Sequence, residues 1–151
     1  MPTLPWTTPK PPPMHDGPAT VMTSRLELSR LSHVPSFLVA ALRIRRQMLR
    51  SPGALGMSLI ARPLHRTFWT LSAWQDQAAL SAAVSRQPHR EIMTRFRPRM
   101  AGSSFVTWTA PALPIRWDDA LRRLDNPDTV HSPGQRGRGA TPDGPPASRK
   151  E

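Results

Sequence analysis

The stretch TFWTLSAWQDQAALSAAVSRQPHREIM, residues 67–93, contains the clearest change from strand to helix in this chain. Its first part, residues 67–74, is rich in aromatic and β-branched side chains, which favours a strand. Asp76 then stands where a helix N-cap is expected, and apolar residues follow it at helical spacing as far as Val84. Pro88 interrupts this helix and can begin a second helical piece. We therefore predict a strand followed by a helix in two parts.

The flanking sequence supplies the remaining elements. Residues 20–28 alternate between two faces as a strand does, and residues 35–50 carry apolar side chains at helical spacing. Two further strands are predicted over residues 56–62 and 104–109. The resulting order, β-α-β-β-α-β, is that of the ferredoxin-like fold. The predicted fold class is α+β, with a four-stranded antiparallel sheet and helices on one face.

Proline marks the limits of the predicted domain. The chain has 19 prolines, and they are concentrated near its two ends, where little apolar surface is present to offset the entropy cost of ordering. We predict a disordered proline-rich head over residues 1–18 and a ferredoxin-like domain over residues 19–110. An extension with a short helix follows over residues 111–125, and a disordered tail over residues 126–151.

The composition excludes several classes of chemistry. The chain has no cysteine, which rules out disulfides, thiolate metal sites and cysteine nucleophiles. No apolar run reaches the roughly 18 residues that a membrane span needs, and the head lacks the apolar core of a signal peptide. We expect a cytoplasmic protein without a membrane partner.

The formal charge of +11 raises the question of nucleic-acid binding, because all but two of the 21 basic residues are arginine. A GC-rich genome also produces high arginine and proline contents. Sheet-based RNA binders carry an aromatic signature that is not present in this sequence. An arginine-rich nucleic-acid binder therefore stays the less favoured alternative.

The quoted stretch resembles the third strand and second helix of the dimeric α/β-barrel superfamily, which includes antibiotic-biosynthesis, haem-degrading and spheroidene-monooxygenase-like proteins. The shared pattern is an aromatic strand ending in Trp74, an acidic cap at Asp76, an apolar helix and then His89. The resemblance covers residues 19–110. It implies a dimeric α/β barrel with a monooxygenase-like function on a small molecule.

Haem is one cofactor that this resemblance raises. The haem-degrading members have an Asn, a Trp and a haem-ligating His at positions that fall here on Ser24, Ala83 and Met93. This chain departs from their pattern at all three positions. His89 lies one helical turn before Met93 and could face the same pocket. The cofactor prediction is therefore open between none and haem.

A second copy of the chain is the simplest cover for the sheet face that lacks helices. Leu26, Leu59 and Leu71 lie at alternating positions of three strands, and Trp108 lies on the fourth, so both sheet faces need cover. We therefore predict a homodimer in which two sheets pack face to face.

His89 is the leading catalytic candidate, because a neutral imidazole at the start of a helix can move a proton or ligate haem iron. The alternative is a structural histidine beside the helix break. The other candidates are Trp74 and Ser72 as catalytic residues, and Ser24, Trp69, Met93 and Arg90 as ligand-binding residues. Trp69 and Trp74 point to opposite sheet faces, since they are an odd number of positions apart, and core packing is the alternative for both. No metal site is predicted.

These candidates favour a monooxygenase-like domain that binds a flat hydrophobic small molecule between the sheet and the second helix. As an enzyme it would be a monooxygenase, either cofactor-independent or haem-dependent. A non-catalytic dimeric ligand-binding or accessory protein is the alternative from a different class. Oxygen consumption with a panel of quinols distinguishes the two.

Overall fold

Residues 3–126 are described by a computed structural model, and the predicted tail lies outside them except for its first residue. The elements follow one another in an order that contains the predicted β-α-β-β-α-β core, with the second helix in two parts. Their bounds in chain order are β1 Thr3–Thr7, β2 Ala19–Leu28, α1 Val34–Arg50, β3 Ala54–Arg62, β4 Thr67–Trp74, α2 Gln77–Ser85, α3 His89–Phe96, β5 Met100–Ala110 and α4 Trp117–Asp125.

The five strands form one antiparallel sheet in the order β1-β3-β4-β2-β5. Without β1, this is the strand order expected of two interleaved β-α-β units, so the predicted α+β ferredoxin-like class is confirmed. Across β2 and β4, Met22 lies opposite Ser72 and Ser24 lies opposite Thr70. No helix within residues 3–126 is long and apolar enough to cross a membrane.

The proline-rich head contributes a strand that the sequence analysis did not predict. Thr3 pairs with Ile60 and Leu4 pairs with Leu59, so that β1 forms the outer edge of the sheet beside β3. An edge strand tolerates proline because its outward N–H groups need no partner in the sheet. The prediction of a disordered head is therefore wrong for residues 3–7, and the sheet has five strands instead of four.

An aromatic cluster holds α1 and α3 against one face of the sheet. The ring centroid of Phe37 on α1 lies 4.6 Å from that of Phe68 on β4 and 5.3 Å from that of Phe96 on α3. Phe68 and Phe96 are fully buried. Ring pairs of this kind add about 0.5–1.5 kcal/mol each beyond simple burial. The cluster therefore fixes both helices over the sheet.

Residues of the chain itself cover part of the opposite face of the sheet. Leu71 and Trp108 belong to a buried cluster that includes Ala120 of α4, and Trp6 of β1 packs against it. The guanidinium carbon of Arg123 lies 4.1 Å from the Trp108 ring centroid. Apolar side chains that we assigned to a dimer interface are thus buried within one chain. Leu71 and Trp108 therefore no longer argue for a homodimer, and the homodimer stays a prediction.

Ser58 of β3 joins both ends of the described chain to this covered face. The residue is only 2% exposed. Its hydroxyl donates to the carbonyl oxygen of Leu4 at 2.8 Å and accepts from the indole Nε1 of Trp117 at 2.9 Å. Beside it, the indole of Trp6 lies directly against Gly56, where any side chain would overlap the ring. These contacts hold β1 and α4 on the sheet.

Candidate active site

A cavity of about 610 Å³ lies between the sheet and the helices α1, α2 and α3. Alternate residues of β2, β3 and β4 form its floor, because side chains two positions apart share one face of a strand. Apolar side chains such as Met22, Met57 and Leu59 make up much of that floor, and Met48 and Leu80 reach it from the helices. The volume falls within the range of roughly 300–1,000 Å³ that is typical of small-molecule sites.

Three hydroxyl groups lie side by side on this otherwise apolar floor. Ser24 and Thr70 are cross-strand partners, and their hydroxyls hydrogen-bond to each other. The indole N–H of Trp74 donates to Ser72 Oγ at 3.0 Å. A hydroxyl that accepts a hydrogen bond still has its own hydrogen to donate. Ser72 and one member of the Ser24–Thr70 pair can therefore each donate to an oxygen of a ligand.

The break between α2 and α3 fixes the orientation of His89. Its backbone N–H donates to Oε1 of Gln47 on α1 at 2.9 Å, and its Nδ1 donates to the carbonyl oxygen of Val84 at 2.9 Å. The Nε2 of Gln47 in turn donates to the carbonyl oxygen of Ala83 at 3.0 Å. Since a carbonyl can only accept, the imidazole hydrogen is on Nδ1, and Nε2 has the lone pair.

The surroundings of His89 also set its charge. Burial lowers the pKa of His89, and the hydrogen bond to the Val84 carbonyl, which favours the charged form, does not offset this effect. The imidazole is therefore neutral at pH 7. Its Nε2 can accept a proton from a ligand or coordinate an iron.

All of the predicted site residues except Trp69 line this cavity; they are His89, Trp74, Ser72, Ser24, Met93 and Arg90. Trp69 lies on the other face of the sheet, where the guanidinium carbons of Arg25 and Arg62 are 5.9 and 5.8 Å from its ring centroid. Successive strand residues alternate between faces, so β4 cannot present both Trp69 and Trp74 to one ligand. Trp69 is accordingly removed from the candidate site.

Exposed lining residues mark the mouth of the cavity between α3 and the edge strand β5. Arg90, Met93, Thr94 and Arg97 line it from α3 and the turn that follows. Their spacing of three and four residues places them on one helix face. Phe105 lines the cavity from β5 and is 55% exposed. Both arginines are exposed, and no acidic residue within the described part of the chain lines the cavity.

Thr70, Arg97 and Gln47 have roles in this site and were not among the sequence-based candidates. Thr70 could have been found, because it is two positions from Ser72 on the same strand and so shares its face. Arg97 could have been found in the same way, two helical turns after Arg90. Gln47 carried no signal of its own, since a polar residue within a helix usually faces solvent.

Comparison with known proteins supports the fold. No protein-family model and no curated protein matches the sequence, whereas solved structures do. A provisionally named monooxygenase from Fusobacterium nucleatum subsp. nucleatum ATCC 25586 matches at a TM-score of 0.53 and 14% identity, over 69% of this chain and 50% of that protein. This chain therefore spans only half of that relative.

Two shorter proteins are matched over nearly their whole length. A provisionally named antibiotic biosynthesis monooxygenase from Nitrosomonas europaea has a TM-score of 0.55 and 14% identity, over 66% of this chain and 95% of its own. A protein of the same provisional name from Bacteriodes thetaiotaomicron VPI-5482 has a TM-score of 0.57 and 15% identity, over 65% and 96%. This chain has their fold. The predicted resemblance in fold is thus confirmed, and the activity has to be argued from the site.

Proposed function

We propose that the cavity binds a flat hydrophobic small molecule and that the protein acts on it as a monooxygenase without a cofactor. One observation carries the proposal: a neutral His89, with Nε2 as its acceptor, lines a largely apolar cavity whose floor offers hydroxyl donors. Deprotonation of a bound phenol or enol requires a base to take the proton and hydrogen-bond donors to stabilise the oxyanion that develops.

In the proposed reaction, His89 Nε2 takes a proton from the substrate, and the Ser72 hydroxyl donates to the oxygen on which negative charge develops. The anion is electron-rich, so one of its ring carbons can bond to O₂ and form a hydroperoxide, which takes back the proton from His89. Loss of water from the hydroperoxide then leaves a quinone, so that one oxygen atom of O₂ stays on the product, the other leaves as water, and the substrate supplies all of the electrons. Trp74 acts through Ser72, because its indole N–H holds the serine oxygen in place. The apolar walls exclude water, so that the anion is less readily protonated again. The names of the structurally similar proteins support this class of reaction but do not identify a substrate.

Oxygen consumption with a panel of naphthols and hydroquinones tests the proposal. His89→Gln should lower turnover by about 10²- to 10⁴-fold, the usual contribution of a positioned base, with little change in melting temperature because glutamine can still donate to Val84. His65→Gln is the matched control, since His65 is exposed in the turn between β3 and β4. Unchanged turnover in His89→Gln, or no consumption with any compound, would contradict the proposal.

Haem is the cofactor that the resemblance leaves open. Nowhere in residues 3–126 do three His, Cys, Asp or Glu side chains form a group that could hold a metal ion. His89 nevertheless fits a residue that would hold haem, because its Nδ1 bonds to a carbonyl and its Nε2 is an acceptor. Bound there, haem would supply iron-centred activation of oxygen. Titration with haem, followed by its absorbance, tests this alternative. If the Soret band shifts, and if His89→Ala abolishes the shift while His33→Ala and His65→Ala leave it intact, haem-dependent activity would replace the cofactor-free proposal.

A non-catalytic ligand-binding protein is the second candidate function. Within the described chain, His89 is the only imidazole that lines the cavity, and no carboxyl group lines it. A second group for proton return would have to come from the substrate or from water. Calorimetric binding of the panel compounds without any oxygen consumption would establish this alternative.

A further inference from the structure

We infer that the ligand of this cavity carries a carboxylate on its flat hydrophobic body, and that Arg90 and Arg97 bind this carboxylate at the mouth. The inference rests on the proposed function, because it takes the cavity as the ligand site. Beyond the proposed function, it specifies that the ligand is negatively charged and that its charged end lies at the mouth of the cavity.

The charges at the mouth are of one sign. Arg90 and Arg97 line the cavity, and none of its lining residues within 3–126 is acidic. Neither arginine takes part in the ion pairs found in that range, which involve other residues. Glu91 is adjacent to Arg90 in sequence but does not line the cavity. No protein group that lines the cavity within residues 3–126 carries a negative charge that could cancel the two positive charges.

The position of the arginines suits a group at the outer edge of a ligand. They are seven residues apart, which is about 10 Å along a helix axis. Met93 and Thr94 lie between them, and Phe105 lines the cavity from β5. A flat body that enters between Met93 and Phe105 would have its outer edge beside the two guanidinium groups. Guanidinium groups bind carboxylates through paired hydrogen bonds, which also fixes orientation.

The two ends of the cavity differ in what they can bind. The floor offers neutral hydroxyl donors, whereas the mouth offers exposed positive charge. A carboxylate at the mouth stays partly hydrated and avoids the large cost of burying an ion. An uncharged oxygen of the ligand can then point inward to Ser72. The charge distribution therefore orients the ligand with its carboxylate outward.

Calorimetric titration with 2-naphthoate and 2-naphthalenemethanol, two probes with the same ring system, tests the inference. At low ionic strength the protein should bind the carboxylate about 3- to 10-fold more tightly than the alcohol, as expected for partly exposed charge-assisted contacts. The double variant Arg90→Gln/Arg97→Gln should lose this preference and keep its affinity for the alcohol. Added salt should reduce the preference of the unmodified protein.

Arg95→Gln is the control for the loss of charge. Arg95 is on α3, its guanidinium carbon lies 5.0 Å from the Phe96 ring centroid, and it does not line the cavity. It should therefore keep the preference that Arg97→Gln reduces. If the alcohol binds and the carboxylate is not preferred, or if Arg95→Gln loses as much preference as Arg97→Gln, the inference fails and the cavity proposal survives. If neither probe binds, both fail.

Discussion

Replacing Ser58 with alanine should weaken the attachment of both ends of the described chain at once. The hydroxyl of this buried residue bonds to the Leu4 carbonyl at 2.8 Å and to the Trp117 indole at 2.9 Å. Alanine preserves the backbone and removes both hydrogen bonds, each of which contributes about 1 kcal/mol net. We expect the free energy of unfolding to fall by about 2 kcal/mol, a large share of the roughly 5–15 kcal/mol that stabilises a domain.

Urea denaturation followed by tryptophan fluorescence measures this loss. The midpoint should fall while the dependence on urea stays the same, because the folded state buries almost the same surface. Ser36→Ala is the matched control, since the exposed hydroxyl of Ser36 donates to the His33 carbonyl at 3.1 Å. Its effect should stay within about 0.5 kcal/mol.

A double-mutant cycle with Trp117→Phe separates the two hydrogen bonds. Phenylalanine removes the indole N–H and keeps an aromatic ring on α4. The combined variant should lose less stability than the two single variants together, with a coupling of about 0.5–1.5 kcal/mol. Strict additivity, or a Ser58→Ala variant as stable as the unmodified protein, would refute the role given to Ser58.

Three further predictions concern His89, Gly56 and the state of association. The lowered pKa of His89 means that the unfolded chain binds its proton first, so this group's contribution to stability is present above about pH 6.5 and is lost as the pH falls towards the folded-state pKa. The urea midpoints of the protein and of His89→Gln should be alike at neutral pH, and on acidification the midpoint of the unmodified protein should fall below that of the variant; a difference that stays constant with pH would contradict this. Gly56→Ala should lower the free energy of unfolding by about 1–3 kcal/mol, because the new methyl group would displace the Trp6 indole. Gly102→Ala is the control and should not destabilise the protein, because the space around Gly102 is open. Equal melting temperatures of the two variants would refute this prediction. Light scattering should show a monomer at micromolar concentration, since the chain itself buries the apolar cluster around Leu71 and Trp108. A dimer that Trp69→Glu dissociates would restore the predicted interface.

Local signals in the sequence were sufficient to predict the core elements. The side chain of Asp76 accepts a hydrogen bond from the Ala79 N–H at 2.7 Å, as its position as a helix cap predicted. The helix break at Pro88 is also present, between Ser85 and His89. The same alternation that predicted β4 placed Ser72 and Trp74 on one face. Caps, proline breaks and strand alternation act over two to four residues, so the local sequence is sufficient to predict them.

Only the tertiary structure decided what surrounds those elements. Residues 3–7 hold few strand signals and become a strand because β3 offers a free edge. α4 was predicted as a short helix, but its position over Trp108 was not. The orientation of His89 depends on Gln47, 42 positions earlier, and the attachment of β1 depends on Ser58, 54 positions after Leu4. Hydrogen bonds and packing across such separations depend on where the chain returns in space, and no local pattern of residues encodes that.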